Sequence, residues 1–166
     1  LETLNARGVE CGATVVDLRS PSEYGIDHVP GAVNVPLLDD EERAVVGTLY
    51  HREGREVAFR EGRDAVRRRI VDLVGRILDV ASGAWSNKTV ANLEPEALVA
   101  RVEELTSGGM ARLEAELVLR PAGALPEGSL ILCCWRGGLR SRSLAALLLS
   151  LGFEGVVVLD GGYRSW

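Results

Sequence analysis

The residues best equipped for chemistry are Cys134, Trp135, Arg136, Gly137, Gly138, Leu139, Arg140 and Ser141. The thiol is the strong nucleophile among them, and it reacts as the thiolate. Arg136, Arg140 and Arg142 flank it, and no acidic residue occurs between Glu127 and Glu154. Just ahead, Leu130 to Cys133 form an apolar run that suits a buried strand. Gly137 and Gly138 break that run, and from Ser141 a mostly apolar stretch reaches Leu151. Strand, tight loop and helix N-terminus place Cys134 at the strand's carboxyl end. There backbone N–H groups converge and the helix dipole turns its positive end toward the sulfur, a field that favours thiolate. The pattern predicts an anion-binding cradle around a cysteine.

Each neighbour has a plainer reading to set beside the chemical one. Cys133 lies inside the strand and reads as a small buried hydrophobe. A disulfide between Cys133 and Cys134 is disfavoured, because successive strand side chains point to opposite faces. Cys11 has no supporting context. Arg136 and Arg140 stand at the wrong end of a helix dipole for cations, which implies an anion that offsets them. Asp17 and Arg19 alternate at the end of the first clear strand, where they either reach the loop or form an ion pair. Trp135 either stacks on a nucleobase or shields the loop. His28, beside Pro30 and Gly31, reads as a turn hydrogen-bonder. Two histidines and no ligand-spaced cluster give no expectation of a metal. Between His51 and Ser82 eight arginines stand against six acids, a solvated helix face by default. The run Arg67 to Arg69 within it could alternatively meet phosphates.

The elements that must position this loop follow from periodicity. Ala13 to Leu18 reads as a β-branched strand, and Ser20 and Pro21 as the N-cap and first residue of a short helix. A turn at Pro30 and Gly31 leads to a brief strand from Ala32 to Val35. Asp39 or Asp40 caps a helix from Glu41 to about Tyr50. Residues 54 to 81 read as helix, with a stripe of Val66, Ile70, Leu73, Val74, Ile77 and Leu78. A loop spans Gly83 to Asn92, and Pro95 opens a helix striped by Leu98, Val99, Val102 and Leu105. Gly108 and Gly109 interrupt it, Met110 to Leu119 resume as helix, and 121 to 126 form a turn. Gly152 reads as the C-cap of the helix after the cysteine loop, Val156 to Leu159 as the last strand, and Asp160 to Gly162 as a turn. Alternating strands and helices predict an α/β fold: a mostly parallel sheet of four to five short strands with helices on both faces. Ligands bind such sheets beyond the strands' carboxyl ends, where Cys134 falls.

The totals fit one soluble domain: 166 residues, 46% hydrophobic, with no apolar run long enough to span a bilayer. A net charge of −5 excludes a coat of positive charge but leaves room for a local basic patch. Three cysteines make a poor disulfide framework, and Leu1 to Asn5 lack the features of a signal peptide. A cytoplasmic setting is expected.

Several segments taken in order resemble the rhodanese domain. They are Val15-Val-Asp-Leu-Arg19, Asp27-His-Val-Pro-Gly-Ala-Val-Asn-Val-Pro36, the Cys134 loop and Leu159-Asp-Gly-Gly162. Two more specific stretches resemble the amino-terminal domain of the tRNA 2-selenouridine synthases: Asp40-Glu-Glu-Arg-Ala-Val-Val-Gly-Thr-Leu-Tyr50 and Cys134-Trp-Arg-Gly-Gly-Leu-Arg-Ser141. The resemblance covers nearly the whole chain as a single rhodanese-like domain, apart from a helical insertion at about 84 to 125.

What this resemblance implies is exchange of sulfur for selenium in wobble 2-thiouridine of tRNA, with selenophosphate as donor. It also implies geranylation of that sulfur from geranyl diphosphate. Cys134 matches the family's essential cysteine, the Trp135 to Ser141 loop would bind the persulfide or anion, and Asp17 and Arg19 would support it. No bound cofactor and no membrane are implied. The partners implied are tRNA, an enzyme supplying selenophosphate, and a P-loop domain. This sequence has no Gly-x-x-x-x-Gly-Lys-[Ser/Thr], so that domain is expected in cis beyond a fragment or in trans as a separate polypeptide. Three rivals remain. Cys134-x5-Arg140-Ser141 also fits the signature of cysteine-dependent phosphatases, although Cys133 stands where those usually have His. A generic thiosulfate sulfurtransferase and a non-enzymatic binding module are the others.

Overall fold

A computed structural model describes residues 2–4, 13–81, 94–123, 125 and 128–166. Cys11, the loop expected at 83 to 92, and parts of the turn expected at 121 to 126 lie outside the described residues.

Six parallel strands form one sheet in the order β3-β2-β5-β6-β1-β4. They are β1 (Glu2–Leu4), β2 (Thr14–Asp17), β3 (Val33–Asn34), β4 (Arg120–Pro121), β5 (Leu130–Cys133) and β6 (Val156–Leu159). The helices are α1 (Pro21–Ile26), α2 (Asp40–Arg52), α3 (Arg55–Ala81), α4 (Pro95–Thr106), α5 (Gly109–Glu116) and α6 (Leu139–Ser150), and a 3₁₀ turn spans Tyr163–Ser165. The expected α/β architecture is present. Two short strands, β1 and β4, extend the sheet beyond those the periodicity marks. β4 contains Pro121 and lies at the sheet's edge, the place where a residue without an N–H is tolerated.

The strands sort their side chains by the twofold period of the pleat. Val16, Leu18, Leu130, Leu132, Val156 and Val158 face one core, which α3, α4 and α6 cover with Ile70, Leu73, Ile77, Leu98, Val102 and Leu148 among others. Val15, Ile131, Cys133, Val157 and Leu159 face the other, with Val29, Ala32 and Tyr24 of α1 packed on it. Every residue of β5 and β6 is buried, as strands covered on both faces must be. Burying one such aliphatic side chain contributes roughly 1.5–3 kcal/mol.

α2 and α3 form a helical hairpin beside the site. Asp39 caps α2, accepting from Glu42 N at 2.8 Å, while Glu42 returns a carboxylate oxygen to Asp39 N at 3.1 Å. The expected stripes of α3 and α4 are the ones that pack. Ile70, Leu73, Val74, Ile77, Leu98 and Val102 are buried, and Val66, Leu78, Val99 and Leu105 flank them. α5 stops at Glu116, short of the expected Leu119, and the chain straightens into β4.

Candidate active site

β5 sits mid-sheet between β2 and β6, so its end is walled by both neighbours. Register pairs Asp17 with Cys133, and Cys134 is the first residue past the strand. The chain then turns through residues 134 to 138 and enters α6 at Leu139.

The loop is clamped from the side by the turn after β6. Tyr163 N donates to Cys134 O at 2.8 Å, and Arg164 N to Trp135 O at 3.1 Å. Glycine makes this approach possible at two places. Gly162 has φ 63°, and a Cβ there would lie 2.2 Å from Cys134 O and 2.3 Å from Gly137 N. Gly137 has φ 60°, and its Cβ would lie 2.7 Å from Leu159 O. Both need a left-handed backbone and no side chain.

With the carbonyls of Cys134 and Trp135 occupied, the donors are left over. Among the described residues, none of the seven consecutive backbone N–H groups from Trp135 to Ser141 has a hydrogen-bond acceptor in the protein. The Arg142 N–H is the first to find one, at Gly138 O, 3.2 Å away. The last few of the seven are the orphan donors of the first helical turn, where the macrodipole is positive. Cys134 Sγ lies 3.2 Å from Ser141 Oγ, which also reaches Gly138 O at 3.2 Å. The hydroxyl can therefore donate to the sulfur or to the loop.

The two vicinal cysteines sit in different surroundings. Cys133 is fully buried, and burial, with Asp17 and Cys134 nearby, pushes its thiol up to about 12. It is a neutral packing group at any ordinary pH. Cys134 is 2% exposed and lines a cleft of about 670 Å³. Trp135 and Arg140 line the same cleft, whose walls include Val46, Phe59, Met110 and Leu147.

The arginines divide by partner. Arg140 Nη1 lies 3.3 Å from Glu23 Oε2, so a carboxylate from α1 meets the cation whose position at the helix start implied an anion. Burial favours the neutral acid at Glu23, but Arg140, the Ser20 N–H and Arg43 outweigh it and hold the carboxyl below its usual range. Arg142 turns inward and donates from Nε to Gly137 O at 2.9 Å. Arg136 is exposed and pairs with no acid among the described residues. Further off, Arg67 pairs with Glu103 at 2.9 Å and Arg69 with Glu42 at 2.6 Å, and Arg68 lies 3.8 Å from Glu42. The run Arg67 to Arg69 is thus a face of ion pairs, with its charge already met.

Asp17 and Arg19 take the ion-pair reading. Both are buried, and Arg19 grips Asp17 through Nε at 3.0 Å and Nη2 at 2.7 Å. Burial pushes the guanidinium down, yet Asp17 beside it more than offsets this and keeps it charged. Arg19 also donates to Asp27 O at 2.7 Å and lies 3.9 Å above the Tyr163 ring. Tyr163 OH donates to the Asp27 carboxylate. The pair therefore touches the loop indirectly, through the residue whose N–H holds Cys134 O. His28 stacks on Tyr24 with its ring 3.9 Å away and its Nδ1 3.1 Å from Tyr24 O, a local contact as expected. Trp135 is 40% exposed and tilts against Tyr163 at 5.8 Å.

Sequence reading passed over Glu23, Asp27 and Tyr163. Glu23 had a usable signal, since Ser20-Pro-Ser-Glu23 has capping-box spacing and fixes where that carboxylate sits. Tyr163 had none, because its contact to Cys134 depends on β6 lying beside β5.

A parallel α/β sheet whose central strand ends in a glycine-bound cysteine loop defines the class of fold. The chain belongs to the rhodanese-like domain family, whose model matches residues 2–72 and 96–166. It is 31% identical over 153 residues to a tRNA 2-selenouridine synthase of Cronobacter sakazakii, covering 92% of this chain and 29% of that protein. A protein of the same name from Bdellovibrio bacteriovorus is 28% identical over 151 residues, covering 91% and 28%. The chain thus spans less than a third of the length of these curated relatives. Among solved structures, the N-terminal domain of a protein from Clostridium difficile 630 named for ATP/GTP binding shares the fold. Its TM-score is 0.68 at 24% identity, over 98% of this chain and 94% of that one.

Proposed function

We propose that this chain transfers sulfur or selenium through Cys134, as the rhodanese domain of an enzyme that converts wobble 2-thiouridine in tRNA to 2-selenouridine. The observation that carries the reading is the run of N–H groups from Trp135 to Ser141, without an acceptor among the described residues, beside a cysteine. The two relatives named for this activity support the substrate. In the whole enzyme selenophosphate supplies selenium, geranyl diphosphate supplies a prenyl group, and a P-loop domain joins in cis or in trans. A separate enzyme provides the selenophosphate, and the setting is cytoplasmic. Among the described residues no helix is long and apolar enough to cross a membrane.

Thiosulfate is the simplest donor for this chemistry. The Cys134 thiolate attacks the outer sulfur, the S–S bond to cysteine forms, and the bond to the sulfonate breaks. Sulfite leaves with the electron pair, and Cys134–S–S⁻ remains. The charge now sits on the terminal atom, where the N–H groups of the loop can donate to it. The same displacement gives Cys134–S–Se⁻ from a selenosulfide, whose carrier thiolate leaves with the electron pair. Selenophosphate, which gives up selenium at the selenide level when phosphate leaves, does not load the cysteine by this step. Trp135 and Arg136, both exposed, would meet a base and a phosphate of the acceptor.

Incubation with thiosulfate should add the mass of one sulfur atom at Cys134, reversed by cyanide, and Cys134→Ser should remove it. A protein that stays unmodified while cleaving an aryl phosphate would replace this reading with the phosphatase one, which the Cys134-x5-Arg140 spacing also fits.

A further inference from the structure

Among the described residues, Glu23 is the acid that pairs with Arg140 beside the cysteine loop. It lies in α1, far from the loop in sequence, and three groups converge on its carboxylate. Ser20 N donates to Oε2 at 3.2 Å, Arg140 Nη1 lies 3.3 Å from the same oxygen, and Arg43 Nη2 lies 3.4 Å from Oε1. The carboxylate is therefore fixed by its own helix start and bridges α1, α2 and α6.

Arg140 needs such an anchor. It stands in the first turn of α6, where the helix dipole repels a cation. Unrestrained, a long guanidinium there turns out to solvent. Its side chain is instead 27% exposed, and Nη1 carries its one side-chain hydrogen bond among the described residues. Nε and Nη2 remain as donors. Arg43 and Arg140 also line the same cleft as Cys134. A guanidinium held by one corner keeps its other donors aimed in a constant direction, which is how an arginine fork gains geometric specificity.

We propose that Glu23 is a positioning residue for the anion site, holding Arg140 so that its free donors face the anion bound over Cys134. The proposal rests on the reading of the loop as an anion cradle. A rival role is purely local, as the residue that closes the start of α1. Glu23→Gln separates the two, because its amide oxygen can still accept from Ser20 N while the charge that holds Arg140 is gone.

The probe is inorganic sulfate, read as the concentration that halves the rate at which iodoacetamide alkylates Cys134, followed by mass spectrometry. Glu23→Gln should raise that midpoint about fivefold. The alkylation rate without sulfate should hardly change and the variant should stay folded, melting lower by at most a few degrees, a split that a gross structural defect would not give. Glu23→Ala should act in the same direction. Arg140→Ala should raise the midpoint at least as far, and adding Glu23→Gln to it should do nothing more. An equal effect of Glu23→Gln in both backgrounds overturns the proposal, as does an unchanged or lowered midpoint in the single variant. If sulfate fails to protect the unaltered protein, or Arg140→Ala leaves the midpoint in place, the cradle itself is wrong and the proposal falls with it. If only the Glu23 variants are silent, the cradle stands without Glu23.

Discussion

The amide of Tyr163 donates to the carbonyl of Cys134 at 2.8 Å, so the residue that starts the last turn fixes the loop that starts α6. This bond faces one carbonyl of the loop away from the site and leaves its N–H groups unspent. It exists because β5 and β6 are neighbours in the sheet, with Leu132 in register with Val158.

Gly162 is the weak point of this arrangement. Gly162→Ala would put a methyl 2.2 Å from Cys134 O in a left-handed conformation. The backbone strain alone costs about 1–3 kcal/mol, because φ 63° with ψ −158° is a conformation open essentially to glycine alone, and overpacking adds about 1–3 kcal/mol. Chemical denaturation should show a loss within the sum of those ranges, together with loss of sulfur loading. Gly25→Ala is the control: its methyl group would have no atom within 4 Å, φ is ordinary, and it sits in α1. That change should be neutral or stabilise by up to about 1 kcal/mol. Equal damage from both would mean the close approach at Gly162 is not what constrains the loop.

Asp17→Asn should be among the most destabilising single changes on this face of the sheet. It leaves Arg19 buried at 1% exposure without its counter-charge. Removing one partner of a buried pair costs about 3–5 kcal/mol. Replacing both, as Asp17→Leu with Arg19→Met, should recover most of that loss, since the desolvation of both ions is then avoided. Urea melts of the single and double variants read the difference. A double variant as unstable as Asp17→Asn would show that Arg19 matters more through Tyr163 and Asp27 than through Asp17.

These contacts mark how far the sequence could be read. The Cys134 loop, the stripes of α3 and α4 and the end of α6, where Gly152 with φ 87° follows the Leu151 cap, were legible because each is local: a spacing, a breaker, a left-handed glycine. β1 and β4 were not. Glu2 to Leu4 is too short to show a period, and Arg120-Pro121 looks like a turn until a partner strand lies beside it. The same holds at the site. Asp17 and Arg19 were visible as candidates, but their choice between loop contact and ion pair rests on Tyr163, which follows them by more than a hundred residues. Arg140 was visible as a misplaced cation, and the acid that answers it comes from α1. Pairing across the sheet order decides all three, and periodicity carries no record of it.

The vicinal cysteines should behave oppositely. Cys133 is a buried thiol pushed up to about 12, so it should neither load sulfur nor alkylate in the folded protein at pH 8. Cys133→Ala removes one heavy atom from a packed site and should cost on the order of 1 kcal/mol, with sulfur loading intact. Cys134→Ser should keep the stability and lose the loading. Peptide mapping after thiosulfate treatment distinguishes the two positions. Loss of loading in a folded Cys133→Ala variant would move the nucleophile to the other residue.

Acid stability gives a test of Glu23 that is independent of any ligand. Its carboxyl is held below the ordinary range: burial raises it, but Arg140, the Ser20 N–H and Arg43 more than offset that. A carboxyl depressed in the folded state binds fewer protons there than in the unfolded chain, so its contribution is full above the unfolded value near 4.5 and is lost as pH falls through the folded one. The unfolding free energy of the protein should therefore exceed that of Glu23→Gln by a constant margin around neutral pH. The margin should narrow as the pH drops through and below the ordinary glutamate range. Denaturation of both proteins at matched ionic strength across that range measures it directly. A margin that widens on acidification would mean the folded state holds Glu23 protonated more readily than the unfolded chain does, and Arg140 would then have to be held by something else.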